Sequence, residues 1–320
     1  MAPNWSWDFE DEKRKPRQEP RGPGGPPPKP PAASPSEREV QIRRRRVAAV
    51  AIAVALLVIV IAVASGSSHS NGTKATKPTA GVAHKAPPTD PEQDGLAAVR
   101  STLAYTPFLR EGGTKGRDIA LTFDDGPGPY TMEILKVLES HHVKATFFEV
   151  GRMLQYFSAS TVRQIEDGDV IGDHTQNHPE LAKLTAHDQY EELFEQIARI
   201  ELLGGHRPTL FRPPYGSFNA TTWHQLARLH LLMVLWSVDT GDYLQPGVET
   251  IVQRAVEGAH PGAVILLHDG GGTRVQTIAA LPQIITKLRA KGYDLVTVPQ
   301  LLADDPPPHG LPLPQNLSGD

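Results

Sequence analysis

The sequence predicts an α/β domain, with parallel strands covered by helices in a sheet that is either open or closed into a barrel. Two observations carry this expectation. From residue 116 to about residue 303, short apolar runs alternate with helical patterns; strand then helix, repeated, builds a parallel sheet. Polar side chains suited to chemistry also gather where the apolar runs end. Barrels and open α/β sheets place their sites at the C-terminal ends of their strands.

Taken in order, strands are expected at 118–123, 145–150, 170–172, 209–212, 233–238, 263–268 and 294–297. Helices fill the intervals. The clearest begins at Thr185, with Asp188 three residues on in a capping-box-like start, and ends at Gly204-Gly205. Another runs over 276–291 and stops at Gly292.

The polar residues fall on this map as follows. Asp124 and Asp125 follow the first strand, in Leu121-Thr122-Phe123-Asp124-Asp125-Gly126-Pro127. His174 follows the third strand and His178 comes four residues later. One helical turn would put both imidazoles on one side. A carboxylate and two histidines make a three-ligand set for Zn²⁺ or a similar divalent ion, which leaves a coordination position open. The second carboxylate of the pair is placed to accept a proton from water. Read alone, Asp-Asp-Gly-Pro is equally good turn chemistry.

Arg212 ends the fourth strand, in Phe211-Arg212-Pro213-Pro214-Tyr215-Gly216, a loop stiffened by two prolines. Asp239 and Asp242 follow the fifth strand, beside Trp236 and Tyr243. His268 ends the sixth strand, leading from Val264 through Leu266 into His268-Asp269-Gly270. A titrating imidazole near a carboxylate is the functional reading of that ending. A buried histidine with a satisfied hydrogen bond is the structural one.

The rest of the chain divides by composition. Residues 1–46 are rich in Pro, Gly and charge and read as a disordered cytoplasmic tail. The Pro-rich stretch 22–31 is of a kind that protein modules bind, but it names no partner. Residues 47–64 carry no charge or polar side chain over 18 positions and read as a transmembrane anchor. Arg43, Arg44, Arg45 and Arg46 abut its start, and the nearest cations beyond it are Lys74 and Lys77. That asymmetry places the N-terminus in the cytoplasm and the domain outside. Ala62-Val63-Ala64 before Ser65 resembles a cleavage site, so secretion after cleavage near Ser65 is the alternative. Residues 65–115 read as an extracytoplasmic linker, 116–303 as the domain, and 304–320 as a flexible C-terminal tail.

The chain contains no cysteine, which excludes disulfides and thiolate metal sites. Residues 1–46 carry 11 Lys and Arg against 7 Asp and Glu in a chain of net charge -4, so the domain side is acidic. That argues against nucleic acid as a partner.

The five segments around Asp124, His174, Arg212, Asp242 and His268, in this order, resemble the polysaccharide deacetylase family, also called the NodB-homology domain or carbohydrate esterase family 4. The resemblance covers roughly residues 116–303. It implies a distorted (β/α) barrel of about seven parallel strands, fewer than the eight-stranded barrel. It implies hydrolysis of N-acetyl groups from N-acetylglucosamine-type units, with acetate released. By the same resemblance Asp124 is the base, Asp125, His174 and His178 hold the divalent ion (Zn²⁺ foremost, Co²⁺ or another as alternatives), and Arg212 orients the base. The Tyr215 N–H meets the oxyanion, His268 is the general acid, and Asp242 orients it. Trp236 and Leu266 line the acetyl pocket, with Tyr243 beside the substrate. Tyr243 departs from the family, which commonly has Trp there.

Some relatives remove O-acetyl groups, so an O-deacetylase acting on a glycan such as xylan is the alternative enzyme. A catalytically silent glycan-binding domain is the alternative from another class. The implied partners are a glycan and, through the single helix, the membrane. The tether favours peptidoglycan, with chitin-like oligosaccharide the other choice.

Overall fold

The computed structural model describes residues 91–317. The expected tail 1–46, the anchor 47–64 and the linker up to residue 90 lie outside the described residues. Among the described residues no helix is long and apolar enough to cross a membrane.

The elements in chain order are α1 (Pro91–Leu103), β1 (Phe108–Leu109), β2 (Asp118–Asp124), α2 (Thr131–Ser140), β3 (Thr146–Glu149), α3 (Gly151–Asp167), β4 (Val170–Asp173), α4 (Ala186–Leu202), β5 (Leu210–Phe211), α5 (Ala220–Leu229), β6 (Leu232–Val234), β7 (Val238–Asp239), α6 (Val248–Gly258), β8 (Val264–His268), α7 (Val275–Ala290), β9 (Asp294–Val296) and α8 (Val298–Asp304). The strands form one sheet ordered β1-β6-β5-β4-β3-β2-β8-β7, with β9 added on β2. Every pairing is parallel. The parallel strands curl into an α/β half-barrel, in keeping with the distorted barrel that the resemblance implies, with nine strands among the described residues where about seven were expected.

Two strands differ from expectation. The run expected as one strand over 233–238 is two, β6 and β7, which lie near opposite ends of the strand order. The Leu235 N–H still bonds the Leu109 carbonyl beside β6, whereas the Ser237 N–H bonds the Val264 carbonyl of β8. The chain thus crosses between the two ends of the curled sheet within three residues. β1 was not expected, because two residues are too short to show a period. With α1 it falls in the stretch 65–115 read as linker, so the ordered sheet begins before residue 116.

Alternation along β2 sorts its side chains. Ile119, Leu121 and Phe123 pack outward with Ile134 and Leu138 of α2 and with Leu281, Ile284 and Leu288 of α7. Ala120 faces inward with Phe148, Val234 and Val264. Val99 of α1 and Val298, Leu301 and Leu302 of α8 join that inner cluster and close the end where β2 and β3 start. Burying a side chain such as Phe123 stabilises the fold by roughly 1.5–3 kcal/mol. By the same period of two, Thr122 and Asp124 point inward. Register then aligns the strand ends. Asp124 pairs with Phe148 and His268, and Glu149 with Asp173, which in turn pairs with Phe211.

Candidate active site

At the end of β2 the chain turns sharply. Asp125 has φ 71°, a left-handed backbone for a residue with a side chain, and a cis Gly126-Pro127 bond follows. The turn is held from behind, where the Asp269 N–H donates to the Asp124 carbonyl at 3.1 Å. A Cβ at Gly270 would overlap the Asp125 carbonyl, so only glycine lets the two backbones approach this closely.

The segment after β4 brings two imidazoles to Asp125. It is not the helical turn that the i, i+4 spacing predicts. Thr175 (φ 69°) and His178 (φ 62°) are both left-handed, and the His178 N–H donates to Thr175 Oγ1 at 2.9 Å. Conformations of this kind cost of order 1–3 kcal/mol each and persist where the surroundings over-determine them. They set His178 Nε2 at 3.0 Å and His174 Nε2 at 3.5 Å from Asp125 Oδ1. The ligand atoms of Asp125, His174 and His178 all lie within 4.8 Å of one another. His174 Nδ1–H donates to the Arg212 carbonyl at 2.7 Å, which leaves the Nε2 lone pair facing Asp125.

The electrostatics suit a divalent ion. Burial raises the Asp125 carboxyl, but His178 and His174 outweigh it and hold the group well below the usual carboxylate range. Burial lowers His178, more strongly than Asp125 raises it. An anionic carboxylate beside a neutral imidazole is the state a divalent ion requires of its ligands. Donor types, spacing and fixed tautomer therefore fit such an ion.

Arg212 lies in the barrel interior with 0% of its side chain exposed. Its Nη1–H groups donate to Asp124 Oδ1 at 2.7 Å and Thr122 Oγ1 at 2.9 Å. Nε and Nη2 donate to the carbonyls of Val234 and Leu235. The guanidinium rests 4.2 Å from the Phe148 ring and 5.7 Å from Trp236. Past the prolines, Tyr215 is left-handed at φ 58° and 50% exposed. Its ring meets His178 edge-on at 4.6 Å.

On the other side of Asp124, His268 pairs with Asp242 rather than Asp239. His268 Nδ1 lies 2.7 Å from Asp242 Oδ1, and the His268 backbone N–H donates to Asp242 Oδ2 at 2.9 Å. Asp239 instead accepts the Gly241 N–H on its own loop. Burial lowers the His268 imidazole, but Asp242 overcomes it, with help from Asp125 and Asp124, and pushes it up to about 9. Tyr243, 45% exposed, meets the His268 ring edge-on at 5.3 Å. Leu266 is buried on β8 two residues before His268.

Three supporting residues escaped the sequence reading. Thr277 of α7 donates to Asp242 Oδ2 at 2.7 Å. Asp269 is fully buried and accepts from Thr131 Oγ1 at 2.5 Å, while Thr131 Oγ1 accepts the Gly128 N–H. Burial first, then Asp125 and Asp124, push Asp269 up to about 7 against the Thr131 bond. An acid directly after an apolar strand and His268 was the available signal for Asp269. Thr131 and Thr277 are ordinary first-turn helix residues and gave none.

The fold and this rim define a class: a parallel α/β protein whose strand ends bring together three residues that could hold a metal ion and two buried ion pairs. The sequence profile described as "Polysaccharide deacetylase" matches residues 111–234. A peptidoglycan-N-acetylglucosamine deacetylase of Bacillus cereus is 39% identical over 195 residues, covering 58% of this chain and 87% of that one. The peptidoglycan-N-acetylmuramic acid deacetylase PdaC of Bacillus subtilis is 39% identical over 184 residues, covering 57% of this chain; the chain spans only 38% of that relative. Among solved structures, the Bc1960 peptidoglycan N-acetylglucosamine deacetylase superposes with a TM-score of 0.60 at 35% identity, covering 62% of this chain and 93% of that one. The chain belongs to the polysaccharide deacetylase family.

Proposed function

We propose that this protein hydrolyses the N-acetyl group of N-acetylglucosamine units in an envelope glycan, leaving a free amine and releasing acetate. The observation that carries the reading is the pair of buried couples, Asp124 with Arg212 and His268 with Asp242, on neighbouring strand ends beside the Asp125–His174–His178 cluster. Asp125, His174 and His178 would hold a divalent ion, Zn²⁺ foremost, Co²⁺ or another as alternatives, which would supply Lewis acidity and an acidified water when bound.

The chain's own residues do the rest. Asp124 takes the proton of the attacking water, oriented by Arg212. The Tyr215 N–H donates to the oxygen on which negative charge develops. His268 gives its Nε2 proton to the leaving nitrogen, which departs as a neutral amine when the C–N bond breaks. Asp242 keeps that imidazole charged and oriented. Leu266 and Trp236 border the acetyl methyl, and Tyr243 borders the sugar.

Peptidoglycan is the favoured substrate. The relatives named above carry that polymer in their names, and a domain tethered through residues 47–64, as the sequence reading has it, would reach only nearby polymer. Acetate release from N-acetylglucosamine oligomers, peptidoglycan and acetylxylan tests the reading. Release from acetylxylan alone overturns it, and release from none returns the chain to a glycan-binding role. A reporter fused after Asp320 should be active outside the cytoplasm, and a mature N-terminus near Ser65 would replace the anchor by a cleaved signal.

A further inference from the structure

Residues 304–320 were expected as a flexible tail. Their described part beyond α8, from Asp305 to Leu317, is instead tied to the domain near both of its ends. At the lower end Asp305 Oδ2 accepts the N–H groups of Lys115 and Gly116, at 2.6 and 2.8 Å. Tyr105 donates to the Pro307 carbonyl and stacks on His309 at 3.8 Å. At the upper end the strap meets the Tyr215 loop. Asn316 Oδ1 accepts the Phe218 N–H at 3.2 Å, and the Leu317 N–H donates to the Gly216 carbonyl at 3.1 Å. The Leu317 side chain lies flat on Gly216 (φ 66°), where a Cβ would come within 2.6 Å of Leu317 Cβ.

We propose that Asn316 and Leu317 are positioning residues for the reaction, acting through the backbone of Tyr215. This rests on the reading above, in which the Tyr215 N–H meets the developing oxyanion. Tyr215 is a non-glycine residue in the left-handed region, so its geometry must be imposed from outside. The loop's own bonds, Gly216 N–H to the Pro213 carbonyl and Ser217 N–H to the Pro214 carbonyl, close its first half only. The strap engages the other half, at the Gly216 carbonyl and the Phe218 N–H. An oxyanion donor works only when held in place before the reaction, so loosening this clamp slows turnover more than it weakens binding.

The test uses the full chain in detergent with four changes: deletion of residues 315–320, Asn316→Ala, Leu317→Gly and Asn316→Asp, which keeps the acceptor for Phe218. Amide exchange over 216–218, melting temperature, metal content, and kcat and KM on an N-acetylglucosamine tetramer are measured. The first three variants should exchange faster at 216–218 and lose about tenfold in kcat. KM, metal content and melting temperature should stay as in the parent, and Asn316→Asp should match the parent throughout. Unchanged exchange overturns the proposal, as does a rise in KM with kcat intact, or an Asn316→Asp variant as poor as Asn316→Ala. If the parent chain releases no acetate, the functional reading fails, and the clamp is judged on the exchange pattern alone.

Discussion

Arg212 reaches from the end of β5 to the end of β2 and donates to Asp124 Oδ1 at 2.7 Å, with both side chains out of contact with bulk water. The same guanidinium bonds two carbonyls in the short segment that crosses between the ends of the curled sheet. One side chain thus serves the proposed base and the segment that joins the two ends of the curled sheet.

Arg212→Ala should therefore damage stability and activity together. It leaves Asp124 buried without its cation, a loss of roughly 3–5 kcal/mol when one partner of such a pair is removed. Denaturant unfolding reads the first effect and acetate release the second. Equal stability in parent and variant would contradict the account.

The two adjacent acids should fail differently. Asp125→Asn removes an anionic ligand, so metal content and activity fall together, as they should in His174→Ala and His178→Ala. Asp124→Asn keeps the three-ligand cluster, so metal stays while kcat drops by about 10²–10⁴. His268→Ala should resemble Asp124→Asn. Metal analysis beside kinetics on the five proteins separates the roles, and the opposite pattern at 124 and 125 would exchange them.

The pH dependence has a definite sign. The proposed acid, His268, works protonated, so turnover is lost as pH rises through its pKa, which Asp242 pushes up. Asp242→Asn removes the largest raising charge and leaves burial, which lowers the imidazole, opposed only by Asp125 and Asp124. The alkaline limb of kcat should move to lower pH by about one unit or more. A limb that stays in place would assign it to another group.

Asp169 offers a stability test away from the site. It accepts the Ala145 N–H at 2.9 Å, and burial pushes its pKa up to about 6, against that bond. A carboxyl raised in the folded state binds its proton more tightly there than in the unfolded chain. Folding stability then falls as pH rises from about 4 to about 6 and stays lower above it. Asp169→Asn removes this term, so its stability relative to the parent should improve by up to about 3 kcal/mol between pH 4 and pH 7.5. Unfolding free energies at the two pH values decide it.

The sequence by itself determined the α/β class, the places of the longer strands, and the residues that converge on the rim. These are local properties: apolar runs end where polar side chains begin, and parallel strands put those ends on one side. The tertiary structure decided how the residues pair. Asp239 and Asp242 read alike along the chain, and only the position of β8 beside β7 gives Asp242 to His268. The spacing of His174 and His178 predicts a helical turn, but the β4 exit holds them with two left-handed residues. One apolar run became β6 and β7, because which neighbour a strand bonds depends on the curl of the whole sheet. Thr131 with Asp269, Thr277 with Asp242, and the strap at Asn316 and Leu317 join positions from 35 to 138 residues apart. No local pattern encodes such contacts, since each exists only once the strands have found their order and register.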